Sequence, residues 1–328
     1  MLKNLCRSLA CALLPLLAAV PLAQAESSGR PLTLMVPYPA GAASDLTART
    51  LSEGIGQAMG TTVVVENMGG AAGALAAGRV LGAPADGAML FQGSPSELIL
   101  SGLINKAVRY KPQDFELVAP VAVSPLVLVA RTDLPANSID ELTALARARK
   151  DQPLSYGSTG PGTLYHLLGE LFSKRVGAPA IHVPYKGGSP LIQDLIGGRL
   201  DFAFMPYQSF YADYAHDGRI KLVGSMSAKP LPPPFESLQN ASDSRDLKGF
   251  DYTIWTAYLV KKGTPQPVAK KLGEAVAEAL KSPRARKTLE AQAKTLYEPM
   301  SLDEAQRFYD HEIARYGELV KTVGYEAQ

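Results

Sequence analysis

The sequence predicts an α/β protein built as two lobes that are joined by crossing strands. Strand, glycine-rich turn and helix alternate along 31–93, a pattern typical of parallel sheets. A β-rich stretch at 115–131 is too long for one ordinary strand, and a second α/β series follows it. The chain of 328 residues is also too long for a single ordinary core. Two lobes with strands passing between them account for all three observations.

The N-terminus has the pattern of a secretory signal peptide. Lys3 and Arg7 precede an apolar stretch at 9–22, and a small-residue triplet ends at Ala25. An apolar run of about 14 residues is short for a membrane span of about 20. Acylation at Cys11 is disfavoured because the apolar core follows this cysteine instead of preceding it. We therefore expect 1–25 to be a signal peptide that is cleaved after Ala25.

Composition excludes several classes of function for the mature chain. Both cysteines lie in the signal peptide, so no disulfide, thiolate nucleophile or cysteine metal site is expected. Removing Lys3 and Arg7 takes the 33 basic residues to 31, against 31 acidic ones. A neutral surface argues against nucleic acid and anionic membrane as partners.

In the first lobe, apolar and β-branched runs alternate with segments of helical spacing. Each glycine-rich turn falls at the carboxyl end of a strand, where open α/β sheets bind ligands. The predicted strands are 32–36, 61–66 and 88–93, and the predicted helices are 44–59 and 71–80.

The second lobe repeats this plan, and the chain then returns to the first lobe. A loop at 230–251 is rich in Pro, Ser and Asp, and 252–260 is a β-prone return crossing. The predicted lobes are 26–123 with 252–328, and 124–251. The predicted strands are 154–157, 181–183, 201–205 and 220–225, and the predicted helices are 138–149, 163–174, 190–196, 265–280 and 302–323.

The turn after the first strand begins VPYPAGAASDLTAR at Val36. Gly41 lets the backbone approach a ligand, and the next helix offers free amides that attract anions. An ordinary turn with Asp45 as a capping acid explains the same residues. The next turn, ENMGGAAGALAAG, lacks GxGxxG spacing, so close helix packing is expected there and dinucleotide binding is not.

The second lobe offers YGSTGPGTLYHLLGELF from Tyr156, where hydroxyls and glycines precede another helix. Ser158, Thr159 and Thr163 supply the hydroxyls, and the helix end again favours an anion. A nucleophile and base pair of Ser158 and His166 is the alternative, but the GxSxG elbow is absent. The histidines lack metal-ligand spacing, so no metal site is expected. Tyr185 ends a further strand and can stack or donate a hydrogen bond.

Six motifs in order resemble the Bug family, the substrate-binding receptors of tripartite tricarboxylate transport systems. The resemblance covers essentially the whole mature chain. It implies a periplasmic binding protein (Venus-flytrap) fold that holds a carboxylate between its lobes. The motifs are VPYPAGAASDLTAR, ENMGGAAGALAAG, LSYGSTGPGTLYHLLGELF, HVPYKGGSPLIQDLIGGRLDFAF, SAK and KKGTPQPVAKKL.

The resemblance also implies which turns grip the ligand. The turn from Tyr38 to Asp45 would bind through backbone groups and water, and the turn from Ser158 to Thr163 would meet the other end of the ligand. Ala42 and Ala43 depart from the adjacent glycines that are usual in the family, and the turn GSPSELIL from Gly93, which includes Ser94, departs from the usual Asn-containing pattern. The candidate ligand-binding residues are Tyr38, Ala40, Gly41, Asp45, Ser94, Ser158, Thr159, Gly162, Thr163, His166 and Tyr185.

The expected function is capture of a small carboxylate in the periplasm, without catalysis, cofactor or metal. The ligand is a di- or tricarboxylate, an amino acid or an aromatic acid, and the partners are membrane permease subunits. A monomer is expected. No arginine lies in the turns, so amides, hydroxyls and water are expected to recognise the ligand. The alternatives are a ligand sensor that feeds a signalling system and a hydrolase that uses Ser158, His166 and Asp45.

Overall fold

The structure is a computed structural model and describes residues 30–325. The predicted signal peptide at 1–25 lies outside the described residues. Within residues 30–325, no helix is both long enough and apolar enough to cross a membrane.

Ten strands and ten α-helices form the described chain. The strands are β1 (Leu32–Val36), β2 (Val63–Asn67), β3 (Met89–Gly93), β4 (Phe115–Ala130), β5 (Leu154–Ser158), β6 (Ala180–Pro184), β7 (Phe202–Pro206), β8 (Lys221–Ser225), β9 (Thr253–Lys261) and β10 (Thr295–Leu296). The helices are α1 (Ala43–Met59), α2 (Ala74–Leu81), α3 (Ser101–Ile104), α4 (Ile139–Ala148), α5 (Leu164–Val176), α6 (Gly188–Ile196), α7 (Tyr211–His216), α8 (Gln266–Lys281), α9 (Pro283–Glu290) and α10 (Leu302–Val323).

The first lobe contains a mixed sheet in the order β2-β1-β3-β9-β4, with β10 paired to β4. β1 runs parallel to β2 and β3, while β9 is antiparallel to β3 and β4. Leu34 and Val36 on β1 pack with Leu51 and Ile55 on α1, and all four are fully buried. The parallel strands therefore bring the turns after β1 and β3 to the same edge of the sheet.

Strand β4 belongs to both lobes, as its length predicted. Its first part, Phe115 to Pro125, pairs with β9, and its last part, Leu126 to Ala130, pairs with β7 and β8. Fourteen of its sixteen residues are buried, which explains why the stretch is almost continuously apolar. The second lobe adds β5 next to β7 and β6 next to β5, both in parallel. The exact lobe bounds remain a prediction.

Several elements differ from the sequence prediction. Helix α6 begins at Gly188, two residues before the predicted start at Pro190. The chain after β3 forms a buried π-helix at Ser96–Leu100 that continues into α3. Helix α8 stops at Lys281 and α9 starts again at Pro283, where proline suits the first turn of a new helix. Ser282 also caps α9 by accepting a hydrogen bond from Ala285 N, so a local signal marks this helix, whereas the π-helix is fully buried and depends on tertiary packing.

Candidate ligand-binding site

A cavity of about 100 Å³ lies between the lobes, with room for several waters or a small ligand. The turn after β1 faces it from one lobe, and the loops after β6 and β7 face it from the other. The crossing strands β4 and β9 form part of its wall. The lining residues are Tyr38, Gly41, Ala42, Ala43, Ser44, Ser94, Ser124, Thr159, Tyr165, Gly188, Ser189, Met205, Pro206, Gln208, Phe210, Tyr211, Ile254, Thr256 and Lys294.

The N-terminus of α1 points into the cavity from the first lobe. Ala42 is the N-cap residue and its methyl side chain makes no capping hydrogen bond. The first amides of a helix have no partner within the helix, and here they belong to Ala43 and Ser44, which line the cavity. Gly41 takes a left-handed φ of 79°, which turns the chain into the helix. The sequence prediction of an amide-rich turn at this edge therefore matches the geometry.

Asp45 holds this turn in place from behind the cavity. Its carboxylate accepts hydrogen bonds from Gly41 N at 2.9 Å, Arg49 Nε at 3.0 Å and Asn67 Nδ2 at 3.0 Å. Asn67 Nδ2 also donates to Tyr38 O at 3.0 Å. Burial opposes ionisation, but the hydrogen bonds from Arg49, Gly41 and Asn67 outweigh it and lower the pKa of Asp45. Asp45 does not line the cavity, so its geometry is that of a supporting residue.

Two hydroxyls of the cavity wall are held by one buried carboxylate. Glu97, in the π-helix, accepts from Tyr38 Oη at 3.1 Å and from Ser94 Oγ at 2.9 Å, and also from the Ser94 amide. Burial raises the pKa of Glu97 to about 7, against the lowering effect of these hydrogen bonds. Above about pH 7 Glu97 is mainly ionised and only accepts, so both hydroxyl protons then point to Glu97. In that state the Tyr38 oxygen can accept a hydrogen bond from a ligand hydroxyl, an ammonium group or water, and Ser94 Oγ, which already accepts from Ser96 N at 3.4 Å, can accept one more.

The first amide of α5 does not face the cavity, because the first lobe covers it, although the Tyr165 side chain of the same turn lines the cavity. Leu164 N donates to Ser96 Oγ of the first lobe at 3.1 Å. Thr163 caps the helix, and its hydroxyl donates to Gly160 O at 2.8 Å. Ser158 is fully buried, and its hydroxyl bonds Gly160 O at 3.0 Å. The structure thus places this turn at a contact between the lobes, where the hydroxyls of Ser158 and Thr163 are satisfied internally.

The buried His166 contacts a second histidine and not Ser158. Its ring stacks on His182 with centroids 4.0 Å apart, and its Nδ1 accepts from Gly162 N at 3.1 Å. The ring of His182 lies 2.7 Å from Ser158 Oγ. Burial lowers the pKa of both histidines to about 4, so they are neutral near pH 7. Within residues 30–325, no three His, Cys, Asp or Glu side chains form a cluster that could hold a metal.

Helix α6 provides the second helix end that faces the cavity. Its first residues, Gly188 and Ser189, line the cavity opposite the first-lobe turn. The preceding Gly187 has extended backbone and packs against the ring of Pro39 from the other lobe. The glycine pair in YKGGSP is the sequence signal for this helix end. The helix was predicted to begin at Pro190, so the amides of Gly188 and Ser189 were not recognised as part of a ligand site.

Four of the predicted ligand-binding residues line the cavity: Tyr38, Gly41, Ser94 and Thr159. Thr159 Oγ1 is buried and has no hydrogen-bond partner among the described residues, so it is available to a ligand. Ala40 is exposed outside the cavity, and the Tyr185 hydroxyl donates to Asp194 at 2.8 Å. The predicted residues that do not line the cavity are Ala40, Asp45, Ser158, Gly162, Thr163, His166 and Tyr185.

An apolar part of the wall was not predicted. Met205, Phe210 and Tyr211 follow or end β7, and Ile254 comes from β9. The signal that could have found the first three is their position at the carboxyl end of a parallel strand. A cavity with helix ends at two sides and carbon atoms between them suits a ligand with polar ends and an apolar middle.

Comparisons with known proteins identify the family to which the chain is similar. A family model described as tripartite tricarboxylate transporter family receptor matches residues 47–325. The chain is 30% identical to protein BugT of Bordetella pertussis over 317 residues, which is 93% of each chain.

Two solved structures are similar over almost their whole length. The periplasmic binding protein BugD is 28% identical, with a TM-score of 0.83 over 92% of this chain and 99% of that one. Rpa4515 of R. palustris, solved with adipate, is 29% identical, with a TM-score of 0.83 over 92% and 99% of the two chains. These similarities confirm the predicted Venus-flytrap fold and the predicted resemblance to the Bug family.

Proposed function

We propose that this chain, which belongs to the tripartite tricarboxylate transporter receptor family, captures a small carboxylate between its lobes and delivers it unchanged to membrane permease subunits. The periplasm is the proposed compartment, because the sequence begins with the pattern of a secretory signal peptide. The observation that carries the proposal is that two helix N-termini, those of α1 and α6, face one cavity from opposite lobes.

A dicarboxylate fits this arrangement best. Each helix N-terminus favours an anion by roughly 0.3–1 kcal/mol, and by up to about 2 kcal/mol where it is partly buried. One carboxylate at Ala43 and Ser44 and another at Gly188 and Ser189 would use both ends. The apolar side chains between them would contact the carbon chain of the ligand. The adipate in the Rpa4515 structure has this chemistry, with two carboxylates and an alkyl chain.

The burial and hydrogen bonds of Ser158 and His166, the alternative catalytic pair, support binding without turnover. Ser158 has no exposed surface, and its hydroxyl is engaged by Gly160. His166 stacks on His182 and hydrogen-bonds the backbone of Gly162. A nucleophile must reach its substrate, so burial of Ser158 counts against the hydrolase alternative.

Calorimetry with a graded set of carboxylates tests the proposal. We expect adipate or succinate to bind purified protein more tightly than acetate, because each has a carboxylate for both helix ends. Adipamide, which has the length of adipate without its charges, is the matched control and is expected to bind far more weakly. Mass spectrometry after incubation is expected to recover the ligand unchanged. Absence of binding by acetate, succinate, adipate and citrate, or chemical conversion of any of them, would contradict the proposal.

A further inference from the structure

A lysine that is remote in sequence from every predicted turn lines the cavity. Lys294 lies between α9 and β10, and only 4% of its surface is exposed. Its ammonium group donates to Thr47 Oγ1, one turn into α1. The Thr47 hydroxyl in turn donates to Ala43 O at 3.1 Å. The positive charge of Lys294 therefore lies beside the helix end whose amides already face the cavity.

This buried charge has no acidic partner among residues 30–325. No carboxylate in that part of the chain forms an ion pair with Lys294. The nearby acids are used elsewhere: Asp45 binds Gly41, Arg49 and Asn67, and Glu97 binds Tyr38 and Ser94. A buried ammonium that is hydrogen-bonded by one hydroxyl is poorly compensated for the loss of water. An anion in the cavity would provide the missing counter-charge.

The chain on either side of Lys294 is held in place across the lobes. Gln292 Oε1 accepts from Ser209 N at 2.8 Å, and Gln292 Nε2 donates to Ser209 Oγ at 2.8 Å. Gln292 belongs to the segment that returns to the first lobe, while Ser209 follows β7 in the second. Ala293 takes a left-handed φ of 54°, which an alanine adopts only where its surroundings demand it. The backbone therefore directs the Lys294 side chain toward the cavity with little freedom.

We propose that Lys294 is a specificity-determining residue whose ammonium group forms an ion pair with the ligand carboxylate at the α1 end of the cavity. This inference rests on the proposed function and names the group that selects an anionic end over a neutral one of the same shape. It differs from the expectation that amides, hydroxyls and water alone recognise the ligand.

The ionisation of Lys294 provides a readout that a purely structural lysine would not show. Burial lowers the pKa of Lys294 to about 8. Tyr38, Tyr165 and Tyr211 face the same cavity, and burial raises the pKa of each, so they stay neutral. Lys229, Arg286 and Glu290 line a surface pocket together with Lys294 on its outer side, Asp45 lies two residues before its partner Thr47 in α1, and Glu97 holds the cavity-lining Tyr38 and Ser94. Above about pH 8 the amine of the free protein is neutral, so carboxylate binding requires uptake of a proton.

The experiment compares adipate binding by the wild type, Lys294→Met and Lys270→Met. Lys270 is exposed on α8, so its replacement changes the net charge equally without touching the cavity. We expect K294M to lose roughly tenfold or more in affinity and K270M to lose almost none. The wild-type affinity is expected to fall more steeply from about pH 7 to about pH 9 than that of K294M, whose remaining pH dependence reports the Glu97 carboxyl with its pKa of about 7. Removal of a poorly paired buried charge is expected to leave the melting temperature of K294M unchanged or raised.

The outcomes separate this inference from the proposed function. If adipate binds the wild type while K294M keeps its affinity and the same pH profile, Lys294 does not recognise the ligand and the inference is wrong. If none of acetate, succinate, adipate and citrate binds the wild type, the proposed function fails and the inference fails with it. Lys294→Gln, which keeps a polar end for Thr47, serves as the second variant if K294M does not fold.

Discussion

Replacing Gly187 by alanine is expected to lower the affinity for adipate by about tenfold or more, with little change in the melting temperature of the ligand-free protein. An ideal Cβ on Gly187 would lie 2.8 Å from Pro39 Cδ and 3.1 Å from its Cγ, across the gap between the lobes. The proline ring cannot swing away as a flexible side chain can. Overpacking of this kind typically costs about 1–3 kcal/mol, and about 1.4 kcal/mol corresponds to tenfold in affinity. Separation of the lobes in the ligand-free protein would relieve the contact, so we expect the cost to fall on the ligand-bound state.

A double-mutant cycle isolates this contact. Pro39→Ala removes the ring atoms that the new methyl group would meet, so the double variant P39A/G187A is expected to recover most of the affinity lost by G187A. Gly78→Ala is the matched control, because a Cβ there would have no neighbour within 4 Å. Calorimetry gives the affinities and a thermal melt gives the stability. If the effects of P39A and G187A on the affinity are additive, so that P39A restores none of the affinity lost by G187A, close approach of these two residues is not needed for binding.

Replacing Asp45 by alanine is expected to lower the free energy of unfolding by roughly 3 kcal/mol or more, and to weaken binding as well. The substitution leaves Gly41 N and Asn67 Nδ2 without their shared acceptor and removes the partner of Arg49. Hydrogen bonds to a charged group contribute about 1.5–3 kcal/mol each, although they are not additive. The turn that presents Ala43 and Ser44 to the cavity then loses its support. Urea unfolding at pH 7 measures the first effect and calorimetry the second.

The pH dependence of this effect has a definite sign. The folded-state pKa of Asp45 is lowered, so its contribution is present above the usual aspartate pKa and is lost as the pH falls through the folded value. The difference between wild type and Asp45→Ala is therefore expected to shrink in acid. Asp303→Ala removes an exposed first-turn acid of α10 and is the control. If D45A weakens binding without any loss of stability, Asp45 contacts the ligand directly and does not act as a support for the turn.

The sequence was sufficient to predict the parts of the fold that local pattern determines. Alternating apolar strands and glycine turns predicted the parallel strands of both lobes, and the length of the 115–131 stretch predicted the crossing strand β4. Gly41 after a buried strand was enough to predict an amide-rich turn at the ligand edge. Sequence reasoning therefore found the first-lobe turn and its residues Tyr38, Gly41 and Ser94, although Ala40 and Asp45 do not line the cavity.

The second-lobe half of the site could not be predicted from the sequence, because tertiary contacts determine it. The turn at Ser158 to Thr163 has the same local chemistry as the first-lobe turn, yet Ser96 from the other lobe covers its helix end. Helix α6 starts at Gly188, although proline at 190 suggested a start there. Lys294 lies in a sequence with no feature that distinguishes it from an exposed lysine, and only the fold brings it beside Thr47.

A crystal structure of the protein with adipate tests the central claim most directly, which is that a carboxylate binds between two helix ends. We expect one carboxylate of adipate at the amides of Ala43 and Ser44, and the other at the amides of Gly188 and Ser189. The alkyl chain is expected to lie against the apolar wall that includes Ile254. Adipate bound outside the interlobe cavity, or inside it with both carboxylates turned away from the two helix ends, would contradict this account.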